Sequence, residues 1–481
     1  MQKHRLIHTL LFCFLFCCML EAQQLVGSSD LGTLSKENIS MEYNIEAEYG
    51  VKLFKILYET PDIQGVKDTA SGLLVLPDVP GNIYPLLCYQ HGTVAGRTDV
   101  PSNLAGGSDL AIVFASMGYV TSAADYLGLG EARGLHPYVH ADSEASAAID
   151  MLFAVRQYAA ENDVFLNDQL FITGYSQGGH AAMAAHRSLQ ADYGDEFTVT
   201  AAAPMSGPYS ISEKMIDFTL GDQEYQFVSY LAYTALSYNL AYGTLYNDLE
   251  EFFKPQFVST IEGFVNEQYN LFTMNLLLIG HLGQLGGTIP KLMLQDSILE
   301  SIQTDPTHPV NVALADNDVY DWVPDAPTRM YYCEADDQVT FENAILANQV
   351  MNDNGAADVN ALSVGVNLDH GGCVPPATTA AIEFFAGFQQ VTTSVSVLED
   401  VDKRFDLQPN PVGEELWLIS LDESIRQFQV QILDSNGQLL RSEQFNGNDR
   451  NRIYVADLSA GLYLVNIVTE QGSTTKKLII R

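Results

Sequence analysis

A serine flanked by glycines lies in the segment Gly174-Tyr175-Ser176-Gln177-Gly178-Gly179. A serine hydroxyl is a weak nucleophile, so chemistry at Ser176 needs a turn that presents its oxygen to a base. A sharp strand-to-helix turn does this, and side chains at Gly174 and Gly178 would collide in it. The same turn directs the backbone N–H of Gln177 toward the place where an oxyanion would form. The motif therefore predicts a nucleophilic serine.

The residues around this motif distinguish it from an ordinary glycine-rich turn. Residues 169–173 are apolar and β-branched, which is typical of a short buried strand. Residues 177–190 are rich in alanine and other helix formers. A strand before the serine and a helix after it favour the nucleophilic turn.

A nucleophilic serine needs a general base and a carboxylate that orients the base. In the fold that carries such a turn, the chain order is serine, acid and histidine, and each of the last two follows a late strand. Asp336 and His370 fit this order. Asp337 and Glu334 are rival acids. Asp336 is preferred because of its position in the turn that ends at Val339.

A second oxyanion donor is predicted directly after the apolar strand 84–90. The segment His91-Gly92-Thr93 is a glycine-containing loop at the strand end, where such folds place this donor. The backbone N–H of Thr93 is assigned to it, and the alternative is an ordinary strand-end turn. No cluster of residues has metal-ligand spacing and no phosphate-binding loop is present, so no cofactor or metal is expected.

The elements that must position these residues alternate between strand and helix. Residues 51–60 and 69–76 predict an antiparallel pair that opens a sheet. From residue 84 to 203 strands and helices alternate, which indicates an α/β fold with a parallel sheet covered on both faces. The later elements are expected to be a strand at 329–333, a helix at 341–351, a strand near 362–366 and a helix at 378–389.

Residues 210–325 interrupt the alternation with a helical and unusually aromatic segment. Inserted between two strands, it predicts a helical cap that supplies an apolar wall for an acyl group. The alternative is that these aromatic side chains form the core of the cap itself.

The two ends of the chain differ from the predicted catalytic domain at 23–390. Residues 1–22 have the basic start and short apolar run of a signal peptide. After a polar linker at 391–404, residues 405–481 predict a small all-β sandwich of short alternating strands. No apolar run reaches the roughly 20 residues of a membrane span.

The formal net charge is −37, and residues 23–400 carry nearly all of it. Such a domain repels nucleic acid and anionic lipid surfaces. The partners expected are therefore a neutral or cationic small molecule and no nucleic acid.

Residues 40–390 resemble the α/β-hydrolase superfamily, and within it the secretory lipase group. The resemblance depends on His91-Gly92-Thr93, on residues 125–130 and on the motif around Ser176. It implies hydrolysis of carboxylic esters by Ser176, His370 and Asp336, with an acyl pocket lined by the cap. Cys333 departs from the family pattern, because many relatives have glycine before the acid. A serine peptidase of the same fold and a catalytically dead binding protein are the alternatives.

The tail is similar to the C-terminal sorting domain of the type IX (Por) secretion system, known in Bacteroidota. The resemblance depends on Pro409-Asn410-Pro411, residues 430–438, residues 458–465 and the basic pair Lys476-Lys477. It implies contact with the secretion machinery, export through the periplasm to the cell surface or medium, and removal of the tail. A carbohydrate-binding sandwich is the alternative.

Cys88, Cys333 and Cys373 lie outside the predicted leader, and an odd number permits at most one disulfide. Cys333 precedes Asp336 by three positions and Cys373 follows His370 by three. Both are expected at the ends of neighbouring strands, within bridging distance. A disulfide between them is therefore predicted, and the alternative is two free thiols. Cys88 is expected to be a buried, inert thiol.

Overall fold

The computed structural model describes residues 24–393, 405–421, 427–434, 439–446, 450–469 and 472–481. The predicted signal peptide at 1–22 and all but the first three residues of the predicted linker lie outside the described residues. The first described range contains a mixed sheet with helices, and the later ranges contain two antiparallel sheets.

The main sheet has ten strands, which are β1 Leu25–Leu34, β2 Val51–Pro61, β3 Lys67–Pro77, β4 Asn82–Gln90, β5 Val120–Ala124, β6 Phe165–Tyr175, β7 Val199–Met205, β8 Thr328–Cys333, β9 Val359–Gly365 and β10 Thr392–Thr393. Their order in the sheet is β1-β2-β3-β5-β4-β6-β7-β8-β9, with β10 paired antiparallel to β4. The first three strands are antiparallel to their neighbours, and the pairs from β5 to β9 are parallel.

Helices cover both faces of this sheet, because its strands are apolar on both sides. The helices outside the cap are α1 Lys36–Tyr43, α2 Ser108–Ser116, α3 Ala141–Glu161, α4 Gln177–Asp192, α12 Glu342–Asp353 and α13 His370–Ala386. Along β6, Phe171 packs with α2 and α13, whereas Ile172 packs with α3 and α4 on the opposite face. The predicted α/β architecture is thus confirmed.

The predicted start of the last helix is wrong: α13 begins at His370 rather than at residue 378. Pro375 and Pro376 lie inside this helix, and proline usually argues against a helix interior. The carboxylate of Asp369 caps the helix by accepting from the N–H of Gly372 at 2.7 Å. Cys373 is buried against the sheet, and this packing stabilises the first turn of α13. Helix propensity, which depends on the local sequence alone, takes no account of it.

The cap between β7 and β8 is helical, as predicted. It opens with a π-helical turn at Ile211–Met215. Its helices are α5 Ile216–Thr219, α6 Ser229–Tyr242, α7 Leu249–Phe252, α8 Pro255–Val265, α9 Leu271–Gly283, α10 Asp296–Thr304 and α11 Pro309–Asp316. Many of its aromatic side chains, including Phe252, Phe253 and Phe257, form the core of the cap, which is the alternative interpretation.

The tail forms a sandwich of a three-stranded and a four-stranded antiparallel sheet around one core. Leu416 and Leu418 from one sheet meet Val430 and Ile467 from the other. The first sheet contains β11 Phe405–Gln408, β12 Glu415–Ser420 and β15 Arg450–Tyr454, and the second contains β13 Gln427–Leu433, β14 Leu439–Asn446, β16 Gly461–Thr469 and β17 Gly472–Ile480. Within the described ranges, none of the helices combines the length and the apolar character that a membrane span needs.

Candidate active site

Ser176 lies between β6 and α4 in a strained backbone conformation, with φ of 62° and ψ of −124°. A non-glycine residue rarely adopts a positive φ, and such conformations persist only where neighbouring structure enforces them. Here the N–H of Ser176 donates to the carbonyl of Met205 on β7 at 3.0 Å. The serine is therefore held at the carboxyl ends of the central strands.

The glycines of the motif are required by close backbone contacts. A Cβ on Gly174 would lie 2.1 Å from the carbonyl oxygen of Gly178. A Cβ on Gly178 would lie 2.0 Å from the carbonyl oxygen of Gln90, at the end of β4. These distances are shorter than any van der Waals contact, so both positions need glycine for the turn to pack against the sheet.

The structure brings the three predicted triad residues into one hydrogen-bonded chain. His370 Nε2 lies 2.8 Å from Ser176 Oγ, and His370 Nδ1 lies 2.7 Å from Asp336 Oδ2. The carboxylate accepts from Nδ1–H, which leaves Nε2 free to accept the serine proton. The second oxygen of Asp336 accepts from the N–H groups of Gln338 and Val339, at 3.0 and 2.9 Å.

The two rival acids contact other groups. Asp337 accepts from the backbone N–H of His370 at 3.2 Å, and Glu334 accepts from the hydroxyl of Ser363 at 2.9 Å. Asp336 is thus the carboxylate that reaches the imidazole ring of His370 in this structure.

Tyr175 is a residue of the site that sequence reasoning did not identify. Its hydroxyl donates to the carbonyl of His370 at 2.7 Å, and its ring lies against the His370 ring with centroids 5.0 Å apart. Burial raises the pKa of Tyr175, so the phenol remains a donor. Its place next to the serine was visible in the sequence, but its contact across 195 residues was not.

A disulfide joins Cys333, the last residue of β8, to Cys373 in the first turn of α13, with Cα atoms 5.9 Å apart. The bridge links the strand before Asp336 to the helix that carries His370. The sequence had predicted Cys373 at the end of a strand, but it lies on a helix. Cys88 is a buried free thiol whose pKa is raised to about 12 by burial.

The loop after β4 lies against the serine. A Cβ on Gly92 would be 3.6 Å from the Cβ of Ser176 and 3.1 Å from the carbonyl oxygen of Tyr175. The next residue, Thr93, contacts the cleft wall through its hydroxyl, which lies 3.0 Å from the hydroxyl of Tyr138. The hydroxyl of Tyr126 donates to the carbonyl of His91 at 3.0 Å and anchors the start of this loop.

A cleft opens above Ser176 between the sheet and the cap. Two tyrosines tie the cap to the loop that follows Asp336: Tyr225 donates to the carbonyl of Gln338 at 2.9 Å, and Tyr230 donates to its side-chain oxygen at 3.3 Å. Burial raises the pKa of both phenols. The apolar part of the wall consists of Val139, Ile211, Met215, Ile216, Leu231, Leu314 and Val339.

Comparison with known proteins found similarity in the tail and in the α/β part of the chain. Residues 406–481 match the family model of the secretion system C-terminal sorting domain. The rice cell wall degrading esterase LipA from Xanthomonas oryzae is 27% identical, with a TM-score of 0.68, over 76% of this chain and 98% of its own. A Legionella pneumophila protein assigned to the hydrolases is 28% identical, with a TM-score of 0.68 and the same coverage of 76% and 98%.

A more distant likeness bears on the fold alone. Lipase A of Candida antarctica is 16% identical, with a TM-score of 0.54, over 72% of this chain and 77% of its own. The comparison with curated proteins gives no match.

The resemblance stated from the sequence is confirmed: the chain combines an α/β-hydrolase fold like that of LipA and lipase A with a C-terminal sorting domain. The neighbours support a hydrolase function. The sorting domain indicates export to the cell surface or medium through the secretion machinery.

Proposed function

We propose that this protein is a secreted serine hydrolase that cleaves carboxylic esters through Ser176, His370 and Asp336. The single observation that carries the proposal is the hydrogen-bonded chain from Ser176 Oγ through both ring nitrogens of His370 to Asp336. Ser176, the first member of this chain, lines a cleft with a largely apolar wall.

In the proposed acylation step, Ser176 Oγ attacks the ester carbonyl carbon while His370 Nε2 takes the hydroxyl proton. Asp336 stabilises the imidazolium that forms. The backbone N–H groups of Thr93 and Gln177 bind the oxyanion of the tetrahedral intermediate. Its collapse breaks the bond to the alcohol, which leaves with the proton from His370, and an acyl-enzyme remains.

Deacylation repeats these steps with water as the nucleophile. His370 takes a proton from the water, the hydroxide attacks the acyl carbon, and Ser176 leaves with the proton returned from Nε2. The products are the carboxylic acid and the regenerated serine, so the cycle uses the residues of this chain and water alone.

The cleft and the charge of the domain support the class of substrate. The apolar side chains of the cap face an acyl group, and the buried phenols of Tyr225 and Tyr230 stay neutral because burial raises their pKa. The large negative charge of the chain disfavours anionic substrates. The LipA esterase, with a similar fold, supports an ester in particular.

A panel of substrates tests the proposal. Purified protein is incubated with short-chain esters, long-chain triglycerides and aminoacyl amides, each beside the Ser176→Ala variant. Ester turnover that disappears in the variant supports the proposal. Turnover of the amides without turnover of the esters would favour the serine peptidase. A protein that turns over none of these substrates would favour the catalytically dead binding protein.

A further inference from the structure

A buried chain of polar side chains lies directly behind the proposed oxyanion donor Gln177. The side-chain amide of Gln177 donates to Glu144 Oε1 at 2.9 Å and lies 2.8 Å from His136 Nε2. Glu144 Oε2 lies 2.7 Å from His180 Nδ1, and His180 Nε2 lies 2.8 Å from the carbonyl of Asn317. Both Glu144 and His180 have side chains with 0% exposure.

The partners of His180 fix the orientation of its ring. One ring nitrogen faces a carboxylate and the other faces a backbone carbonyl, so both neighbours can accept a hydrogen bond. Glu144 and Asn317 therefore hold the ring of His180 from two sides, one helical turn after Ser176.

The partners of Gln177 fix the orientation of its amide. Glu144 is an acceptor, so the amide must present its nitrogen and not its oxygen there. The second amide hydrogen then donates to His136 Nε2. Burial lowers the pKa of His136 to about 3, which keeps that nitrogen unprotonated, while Nδ1–H donates to the carbonyl of Leu127 at 2.8 Å.

We propose that Glu144 and His180 are positioning residues that hold Gln177 and thereby aim its backbone N–H at the oxyanion. This inference rests on the proposed function, because it assumes that an oxyanion forms beside Ser176. Gln177 is the first residue of α4. Its side-chain amide bonds to Glu144 on α3 and to His136 in the loop before α3. Fixing the side chain at two points restricts rotation of the peptide plane that follows the nucleophile.

A purely structural role explains this arrangement less well. Removing a carboxylate and an imidazole from water costs several kcal/mol, and apolar residues of similar volume commonly replace buried charged pairs without loss of stability. A donor that binds an oxyanion must instead be fixed before the charge develops, because misalignment there costs catalysis directly.

Kinetics of the Glu144→Met variant of the exported enzyme test the proposal, because methionine lacks the carboxylate oxygen that accepts from the side-chain amide of Gln177. We expect kcat for p-nitrophenyl butyrate to fall by about 10-fold to 100-fold, with KM within about twofold of wild type. The inhibition constant of a trifluoromethyl ketone with the same acyl chain should rise by the same factor, because this inhibitor forms an oxyanion in the site. Asp142→Asn is the matched control, since it removes an exposed carboxylate from the same helical turn and should change none of these constants.

The double variant Glu144→Met/His180→Leu separates positioning from folding. It replaces both side chains by apolar groups of similar size, so we expect a folded protein with low kcat. Wild-type kcat in a folded double variant would overturn the proposal, as would a fall in kcat without a matching rise in the inhibition constant. These outcomes differ from failure of the proposed function, in which wild-type protein would neither hydrolyse the ester nor bind the ketone.

Discussion

His370 Nε2 lies 2.8 Å from Ser176 Oγ, although 194 residues separate the two side chains in the sequence. The sheet provides this contact, because the carboxyl ends of β6 and β9 lie at the same edge of the sheet and the serine follows the first strand while the histidine follows the second. Asp336 reaches the same ring from the end of β8, which lies between β6 and β9 in the sheet and pairs with β9.

The two adjacent aspartates should differ sharply in their effect on catalysis. Asp336→Asn removes the acceptor that fixes the tautomer of His370, so we expect kcat to fall by about 10³-fold to 10⁴-fold. Asp337→Asn alters only a contact with the backbone N–H of His370 and should cost less than about 10-fold. Steady-state kinetics of both variants with one soluble ester measure this. Equal losses would contradict the assignment of Asp336 as the acid.

Glycine should be indispensable at residue 178. We expect Gly178→Ala to lower the free energy of unfolding by more than about 3 kcal/mol, because its Cβ would lie 2.0 Å from a backbone oxygen of Gln90. Gly280→Ala in α9 is the matched control: a Cβ there meets no atom within 4 Å, and alanine favours a helix. Urea unfolding of both variants measures the difference, and a wild-type midpoint for Gly178→Ala contradicts the packing described for the turn.

The turn at Ser176 and the order of the triad could be predicted from the sequence for a physical reason. Strand, serine, glycines and helix are adjacent in the chain, so local patterns contain the information. The acid and histidine could be assigned because each follows an apolar strand, and parallel strands bring their carboxyl ends together.

Other features depend on contacts that no local pattern contains. β1 was not predicted, because Leu25–Leu34 is rich in glycine and serine, has little buried surface and becomes a strand by pairing with β2. The early start of α13 depends on the Asp369 cap and on packing of Cys373. Glu144 contacts His180, which is 36 positions away in the sequence. Tyr175 contacts His370, which is 195 positions away.

Thiol counting should distinguish the two states of the cysteines. In protein that lacks residues 1–22, we expect no reaction of the native state with a thiol reagent at neutral pH, because Cys88 is buried and burial raises its pKa to about 12. Denaturation without reductant should release one thiol per chain. Three thiols would exclude the disulfide between Cys333 and Cys373.

The disulfide should also contribute to stability. It joins residues 40 positions apart, and chain entropy alone predicts about 4 kcal/mol for a loop of this length. We expect the Cys333→Ala/Cys373→Ala variant to lose about 3–4 kcal/mol in urea unfolding. Cys88→Ala provides a comparison that leaves the bridge intact, and an equal loss in both variants would argue against a specific role of the bridge.

The half-buried carboxyl of Asp150 should make stability depend on pH. Burial raises its pKa from 3.8 to about 6, so between these values the folded state binds more protons than the unfolded state. Stability should therefore fall as pH rises from about 4 to 6, by about 3 kcal/mol at most, and the penalty should persist above pH 6.

Asp150→Asn should remove this penalty. We expect the variant to be more stable than wild type by about 2–3 kcal/mol at pH 8 and equally stable near pH 4, as measured by urea unfolding at each pH. The exposed Asp142→Asn provides the control for a general change in charge. If the difference in stability between Asp150→Asn and wild type were the same at pH 4 and pH 8, the raised pKa of Asp150 would be contradicted.

The most direct test of the account is covalent labelling of the serine. Exported wild-type protein is treated with a fluorophosphonate, its intact mass is measured, and the modified peptide is sequenced by mass spectrometry. We expect one probe per chain, attached to Ser176 and absent from Ser176→Ala, together with loss of ester turnover in the same proportion as labelling. Ester turnover in Ser176→Ala, or a label on another residue of an active wild-type protein, would contradict the central claim.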